Sequence, residues 1–157
     1  MLAKIKPNYI LIPLLVIITA SAASYFADTG RVWYSTINLP DWTPSGTMMV
    51  LTWTIIFILT TLSLLIIWNR HYTEKKFGLV IGLFALNGVL IVGWNILFFS
   101  HQQFGLAFFQ ALLLVVNLVF LIFIIWRFSP IAASLLLPYN FYLLFSTILT
   151  FNVWLLN

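Results

Sequence analysis

Apolar residues occur in five long stretches along the chain, separated by short polar segments. The stretches cover residues 8–27, 44–68, 77–100, 104–128 and 131–156. Each is about as long as the 20 residues that cross a bilayer as an α-helix. Strands of a membrane barrel would alternate apolar and polar positions over about ten residues, and the sequence lacks this pattern. The pattern predicts an all-α integral membrane bundle of five transmembrane helices, forming a single domain over residues 1–157.

The first stretch also has some features of a signal peptide. Lys4 and Lys6 precede it, and the small residues 20–23 near its end resemble a cleavage site. However, the apolar run is long enough to cross the membrane, so an uncleaved first helix is the favoured interpretation.

Two prolines make local predictions about the helices. Pro44 suits the first turn of the second helix, where its missing N–H is not needed. Pro138 falls inside the fifth stretch and predicts a kink there.

The composition is typical of a membrane protein, and the distribution of charge predicts how the chain is oriented in the membrane. The chain is 63% hydrophobic and 6% charged, whereas soluble domains carry roughly 25% charged residues. If five helices cross the bilayer, six of the seven basic residues lie on the N-terminal side, and only Arg31 lies on the other. These six are Lys4, Lys6, Arg70, Lys75, Lys76 and Arg127. Because basic residues stay in the cytoplasm, we expect a cytoplasmic N-terminus and an external C-terminus, in a bacterial plasma membrane. The scattered cations do not indicate nucleic-acid binding.

The third stretch has two distinct faces when plotted at about 100° per residue. One is narrow and consists of small residues with one valine: Gly78, Gly82, Ala85, Val89 and Gly93. This face predicts close helix packing, either within one chain or between two copies. The opposite face carries Asn87, Ile91, Trp94 and Phe98, the amide and aromatic mixture expected of a ligand cavity. Ordinary hydrogen bonding between helices would also explain Asn87.

Other polar and aromatic residues lie at depth in the remaining stretches. Gln110 and Asn117 share one face of the fourth, and Tyr142 lies beside Ser146 on the fifth. Trp53 lies well inside the second, where its indole N–H needs a partner. Together these residues predict an internal polar pocket.

The sequence gives little support for catalysis or metal binding. The apolar stretches carry no acidic or basic residue in their cores, there is no cysteine, and His71 and His101 fall on opposite sides of the membrane. We therefore expect no metal site, no catalytic residue and no required cofactor.

The long segment between the first two helices contains Trp33-Tyr34 and then Leu39-Pro40-Asp41-Trp42-Thr43-Pro44. It resembles the loop W-Y-x-x-L-x-K-P-x-W-x-P-P of the TspO/translocator-protein family, also called tryptophan-rich sensory proteins or peripheral benzodiazepine receptors. Further matches are Trp53 with Phe57, Trp94 with Phe98-Phe99, and the run from Leu137-Pro138-Tyr139 through Phe145, Thr147, Leu149, Trp154 and Asn157. The chain departs from the family pattern at Asn38, Ser45, Ile91, Tyr142 and Thr150.

The resemblance implies a homodimer of five-helix bundles in contact with membrane lipids. It also implies a pocket under the first loop for porphyrins, haem-like pigments or benzodiazepine-type ligands. Carried over to this sequence, with Asn87 added from the helix pattern, the pocket residues are Tyr34, Pro44, Trp53, Phe57, Asn87, Trp94, Gln110, Tyr142 and Ser146. The leading hypothesis is a receptor or sensor for hydrophobic tetrapyrroles. The alternatives are a light-dependent porphyrin-degrading enzyme and a passive carrier of porphyrin or lipid-like cargo.

Overall fold

The computed structural model describes residues 6–157, so Lys4 lies outside the described residues. The helices are α1 Asn8–Thr29, α2 Arg31–Tyr34, α3 Gly46–Arg70, α4 Phe77–Asn95, α5 Phe104–Trp126, α6 Pro130–Ser134 and α7 Leu137–Leu156. A π-helical turn, Ile96–Ser100, continues α4. Within residues 6–157, five helical segments are long and apolar enough to cross a membrane, with α6 and α7 together forming the fifth. The predicted all-α bundle of five spans is confirmed.

The spans pack in a closed ring whose order differs from the order of the sequence. α1 packs against both α3 and α4, α4 packs against α5, and α5 packs against α6 and α7. α6 returns to α3 and closes the ring. Here the buried Ser63 hydroxyl donates to the carbonyl of Ala132 at 2.8 Å. The second and fifth spans are therefore neighbours, which brings Trp53 of the second beside Tyr139 and Tyr142 of the fifth.

Both proline predictions need correction. α3 begins at Gly46, and the Ser45 hydroxyl accepts a hydrogen bond from the Met48 N–H at 3.3 Å. Pro44 therefore precedes the helix, because the serine side chain provides the N-cap. In the fifth span the helix is interrupted before Pro138 rather than kinked at it. α7 starts at Leu137 and places Pro138 in its first turn, where no N–H is required.

The two predicted faces of α4 are present, with one exception. On the opposite face, Asn87, Ile91 and Phe98 are buried and Trp94 is half-buried. The small-residue face points outward, and a Cβ atom added at Gly78 or Gly82 would meet nothing within 4 Å. Packing within one chain does not explain these two glycines.

Gly93 is the exception, because it packs closely against the side chain of Gln110 on α5. On the helical wheel it lies about 60° from Gly78, at the edge of the small-residue face. This offset turns Gly93 toward α5, so it packs within the chain while Gly78 and Gly82 do not.

Candidate aromatic site

One group of rings lies between α3 and α7, and we call Trp53, Phe57, Tyr139, Tyr142 and Phe145 the Trp53 cluster. The Trp53 ring lies 5.8 Å from Phe57, 5.9 Å from Tyr139 and 5.7 Å from Tyr142, centre to centre. Tyr142 in turn stacks on Phe145 at 5.9 Å. The members of each helix are three or four residues apart, so they share one face. Trp53, Tyr142 and Phe145 are half-buried, which leaves part of each ring free.

A hydrogen-bonded chain of buried side chains joins this cluster to the interior of the bundle. The Tyr139 hydroxyl donates to Asn87 Oδ1 at 3.1 Å. Asn87 Nδ2 donates to Asn117 Oδ1, also at 3.1 Å. Three spans are thus joined at a depth where an unpaired polar group is costly.

A second group of rings surrounds the end of α4, and we call Trp33, Tyr34, Trp94, Phe98, Phe99 and Phe104 the Trp94 cluster. Trp94 stacks on Phe98 with ring centres 4.9 Å apart and planes inclined by 16°. Trp33 stacks on Phe104 at 5.5 Å. Phe98 and Phe99 belong to the π-helical turn, where the extra residue changes the direction of the side chains.

The loop after α1 is fixed to this π-helical turn by a close backbone approach. A Cβ atom at Gly30 would lie 2.6 Å from the carbonyl oxygen of Phe99, so only glycine fits without movement. Beside it the hydroxyls of Thr29 and Ser100 are 2.9 Å apart. This approach brings Tyr34 to 5.6 Å from Phe99, so α2 forms one wall of the Trp94 cluster.

The two clusters meet at Phe145, which stacks on Tyr142 and packs against the buried group that includes Phe98. Burial raises the pKa of Tyr34, and the nearby Tyr142 phenol adds to this shift. The Ser146 hydroxyl lies one helical turn further along α7 than Tyr142. The region between the clusters therefore combines aromatic faces with three hydroxyl groups.

The later part of the loop extends from α2 to the start of α3. Trp42 meets Phe145 edge-on at 5.5 Å. The Thr43 hydroxyl donates to the carbonyl of Pro40 at 2.6 Å, which stabilises the turn before α3. The loop therefore contacts the Trp94 cluster through α2 and the Trp53 cluster through Trp42.

The residues expected to form the pocket are divided by the structure into three groups. Trp53, Phe57 and Tyr142 share one cluster, with Ser146 beside it, while Tyr34 and Trp94 belong to the other. Asn87 lies beneath the rings. Gln110 turns toward α4, where its Nε2 donates to the carbonyl of Leu90 at 3.0 Å. Pro44 lies in the loop just before the α3 N-cap.

Sequence reasoning missed two side chains that are central to this arrangement. Tyr139 is fully buried and joins the Trp53 ring to Asn87. Its spacing of three residues from Tyr142 was an available signal. Asn157 binds the loop at Asn38, 119 residues away, and no local pattern predicts such a contact.

The opposite end of the bundle carries two open, partly basic clefts. The first, about 370 Å³, is lined by Lys6, Asn8, Trp68, Asn69, Tyr72 and Phe77. The second, about 450 Å³, is lined by Thr73, Glu74, Lys75, Lys76, Ile124, Arg127 and Phe128. Basic residues therefore gather at the end of the bundle away from the aromatic clusters.

Five apolar spans with amides and tryptophans between them define a polytopic α-helical membrane protein with an aromatic interior. The chain belongs to the TspO/MBR family, whose sequence model matches residues 9–155. This confirms the resemblance that the loop and helix tryptophans indicated.

The relatives of this chain come from bacteria, archaea and mammals. The tryptophan-rich protein TspO of Bacillus cereus is 31% identical over 128 residues, which cover 81% of this chain and 82% of that protein. The translocator protein of Homo sapiens is 32% identical over 131 residues, covering 80% and 75%. The uncharacterized membrane protein YtaB of Bacillus subtilis is 32% identical over 139 residues, covering 87% and 88%.

Proposed function

We propose that this protein is a membrane receptor or sensor that binds hydrophobic tetrapyrroles, such as porphyrin or haem, in the aromatic site under the first loop. The observation that carries this proposal is the pair of ring clusters that meet at Phe145 under the first loop. A flat aromatic macrocycle gains most from stacking on such rings and from leaving water.

The polar groups of the site suit the polar edge of the same ligand. The phenols of Tyr34 and Tyr142 and the hydroxyl of Ser146 can each donate a hydrogen bond. Carboxylate groups at the edge of a tetrapyrrole would accept such bonds while the apolar body lies against Trp53 and Trp94. In this proposal, stacking and hydrogen bonding hold the ligand without ligation of a metal.

A titration of purified protein with protoporphyrin, followed by quenching of tryptophan fluorescence, tests the site. We expect Trp53→Phe and Trp94→Phe each to weaken binding about fivefold, since the smaller phenyl ring gives up stacking area worth roughly 1 kcal/mol. Trp126→Phe is the matched control, because Trp126 is 47% exposed at the far end of α5. If the Trp53→Phe, Trp94→Phe double variant binds as tightly as the control, the ligand does not occupy this site.

We further propose that two copies pair through the outward small-residue face of α4. Gly78 and Gly82 support this arrangement, because a Cβ atom added at either would meet nothing within 4 Å, and two glycines four residues apart leave no side chain on that face. Such a face allows two helix backbones to approach closely in a membrane. Gly82→Leu should shift the protein to monomers in sedimentation velocity, whereas Gly46→Leu, at another open glycine, should not. A Gly82→Leu protein that remains dimeric would exclude this face.

We propose a cytoplasmic N-terminus in a bacterial plasma membrane. The distribution of charge supports this orientation, because Lys75, Lys76 and Arg127 line a cleft at the end of the bundle opposite to Arg31. The chain has no cysteine, so single substitutions can report the side of the membrane. In intact cells a membrane-impermeant maleimide should label Thr36→Cys and leave Thr73→Cys unlabelled. The reverse result would invert the orientation.

A further inference from the structure

The middle of the first loop is bound to the end of α7 by a reciprocal pair of hydrogen bonds. The Asn38 N–H donates to Asn157 Oδ1 at 2.9 Å, and Asn157 Nδ2 donates to the Asn38 carbonyl at 2.8 Å. One side-chain amide thus satisfies both backbone groups of a loop residue, as a neighbouring strand would. A third, longer bond joins Asn38 Nδ2 to the carbonyl of Leu156 at 3.4 Å.

Asn157 is itself held in place by its own helix. Its Nδ2 also donates to the carbonyl of Val153 at 2.9 Å. The amide therefore projects from α7 in a fixed direction and presents its oxygen to the loop. The result is a fixed attachment point for the loop at the end of a transmembrane helix.

The attachment determines where the neighbouring apolar side chains lie. We call residues 35–41 the lid segment. Ile37 and Leu39, on either side of Asn38, pack against the buried group that includes Phe98 and Leu149. Because side chains alternate along an extended segment, fixing the backbone of Asn38 turns both neighbours in the same direction. The contact thus holds the lid segment against the Trp94 cluster.

We propose that Asn157 is a positioning residue that holds the lid segment over the aromatic site and thereby sets the rate of ligand exchange. The effect on ligand exchange rests on the tetrapyrrole site proposed above, whereas the attachment of the lid segment does not. Asn38 and Asn157 are both exposed, so water competes for these hydrogen bonds and the lid segment opens without unfolding of the bundle. A ligand between the clusters would leave during such openings.

Hydrogen exchange of the lid segment tests the attachment without any ligand. In Asn157→Ala we expect peptides covering residues 35–41 to exchange about tenfold faster, since two modest hydrogen bonds are lost. Asn152→Ala is the matched control. Asn152 lies on the same helix and makes the same type of bond to the residue four before it, at 2.8 Å to the Ile148 carbonyl.

Asn157→Asp is a second variant in case the alanine variant is poorly folded. It retains an acceptor for the Asn38 N–H but loses the donor to the Asn38 carbonyl. We expect its lid segment to exchange at a rate between those of the wild type and Asn157→Ala. Equal exchange in Asn157→Ala and Asn152→Ala would overturn the attachment, whatever the ligand does.

Release of protoporphyrin, measured by dilution into an excess of lipid vesicles that take up the freed ligand, tests the control of ligand exchange. We expect release about tenfold faster from Asn157→Ala and unchanged from Asn152→Ala. Faster hydrogen exchange with unchanged release would overturn the effect on ligand exchange. If the wild-type protein binds no protoporphyrin, both the tetrapyrrole site and the proposed effect on ligand release are wrong. The hydrogen-exchange measurement still decides whether Asn157 holds the lid segment.

Discussion

The Trp53 cluster and the Trp94 cluster are built from the same kinds of side chain but are supported by different parts of the chain. The first lies on two regular helices and rests on the buried bonds from Tyr139 to Asn87 and on to Asn117. The second lies on a π-helical turn and on the loop, and its attachments at Thr29 and Asn38 are exposed.

This difference indicates that the two walls of the site have unequal mobility. Buried hydrogen bonds between transmembrane helices have no water to replace them, so the Trp53 wall should open only when the helices separate. The exposed hydrogen bonds that hold the loop, at Thr29 and Asn38, can be replaced by hydrogen bonds to water. The Trp94 wall should therefore move first. One fixed wall and one movable wall would admit a large, flat ligand while keeping its orientation.

Gly30→Ala should give the largest effect and acts on the movable wall. The new Cβ would lie 2.6 Å from the Phe99 carbonyl oxygen and 2.8 Å from its Cβ, so the backbone itself must shift. We expect the free energy of unfolding to fall by about 3 kcal/mol, the upper part of the range for overpacking. Unfolding in mixed detergent micelles, followed by circular dichroism, measures the change.

Gly46→Ala is the control for this variant, because a Cβ there meets nothing within 4 Å. Its stability should remain close to that of the wild type. If Gly30→Ala is as stable as Gly46→Ala, the close approach of the loop to the π-helical turn does not hold the Trp94 wall.

Asn87→Leu acts on the fixed wall and should cost about 2 kcal/mol. It leaves the fully buried Tyr139 hydroxyl without its acceptor. It also leaves Asn117 without its donor, and Nδ2 of that amide already has no partner among the described residues. The same micelle unfolding measures the loss.

The double variant Asn87→Leu, Tyr139→Phe separates the hydrogen bond from the packing. It removes the stranded hydroxyl, so part of the lost stability should return and the two substitutions should couple by about 1 kcal/mol. Strictly additive losses would mean that the Tyr139 bond adds nothing to the fixed wall.

The same contrast separates what the sequence predicts from what it does not. The five spans, the buried face of α4 and the inward amides of α5 follow from composition and helical period, since each depends on local residues. Part of the Trp53 cluster also follows, because Trp53 with Phe57 and Tyr142 with Phe145 are three or four residues apart on one helix. Side chains on a regular helix can be placed once its face is known. The meeting of α3 and α7 depends instead on the order of the spans, and Tyr139 was missed.

The Trp94 cluster depends on features with no local signal. A π-helical turn shifts Phe98 and Phe99 away from the directions that a regular wheel assigns to them. Gly30 and Asn157 act only when distant segments meet, which depends on how the spans are ordered in the ring. Pro44 was misplaced for a different reason, because the neighbouring Ser45 provides the cap.

Gln110→Leu should have a smaller effect and tests how α4 is held at the level of the movable wall. The substitution removes the donor to the Leu90 carbonyl and the contact with Gly93. Because that carbonyl remains within the backbone bonding of α4, we expect a loss of about 0.6 kcal/mol, typical of one hydrogen bond between membrane helices. Micelle unfolding gives this value, with Gln103→Leu as an exposed control. A loss above 2 kcal/mol would mean that Gln110 belongs to the buried support of the fixed wall.

The smallest effect should come from Tyr34, whose phenol lies between the two walls. Burial, with a contribution from the nearby Tyr142 phenol, raises the pKa of Tyr34 above its ordinary value of 10.0. The folded protein therefore holds this proton more tightly than the unfolded chain does, so the resulting stability is complete below pH 10 and is lost as the pH rises further. Tyr34→Phe should reduce the fall in unfolding free energy between neutral pH and pH values above 10, whereas Tyr25→Phe, which removes an exposed phenol, should not. If Tyr34→Phe loses stability as steeply as the wild type, the Tyr34 phenol is already open to water in the folded protein.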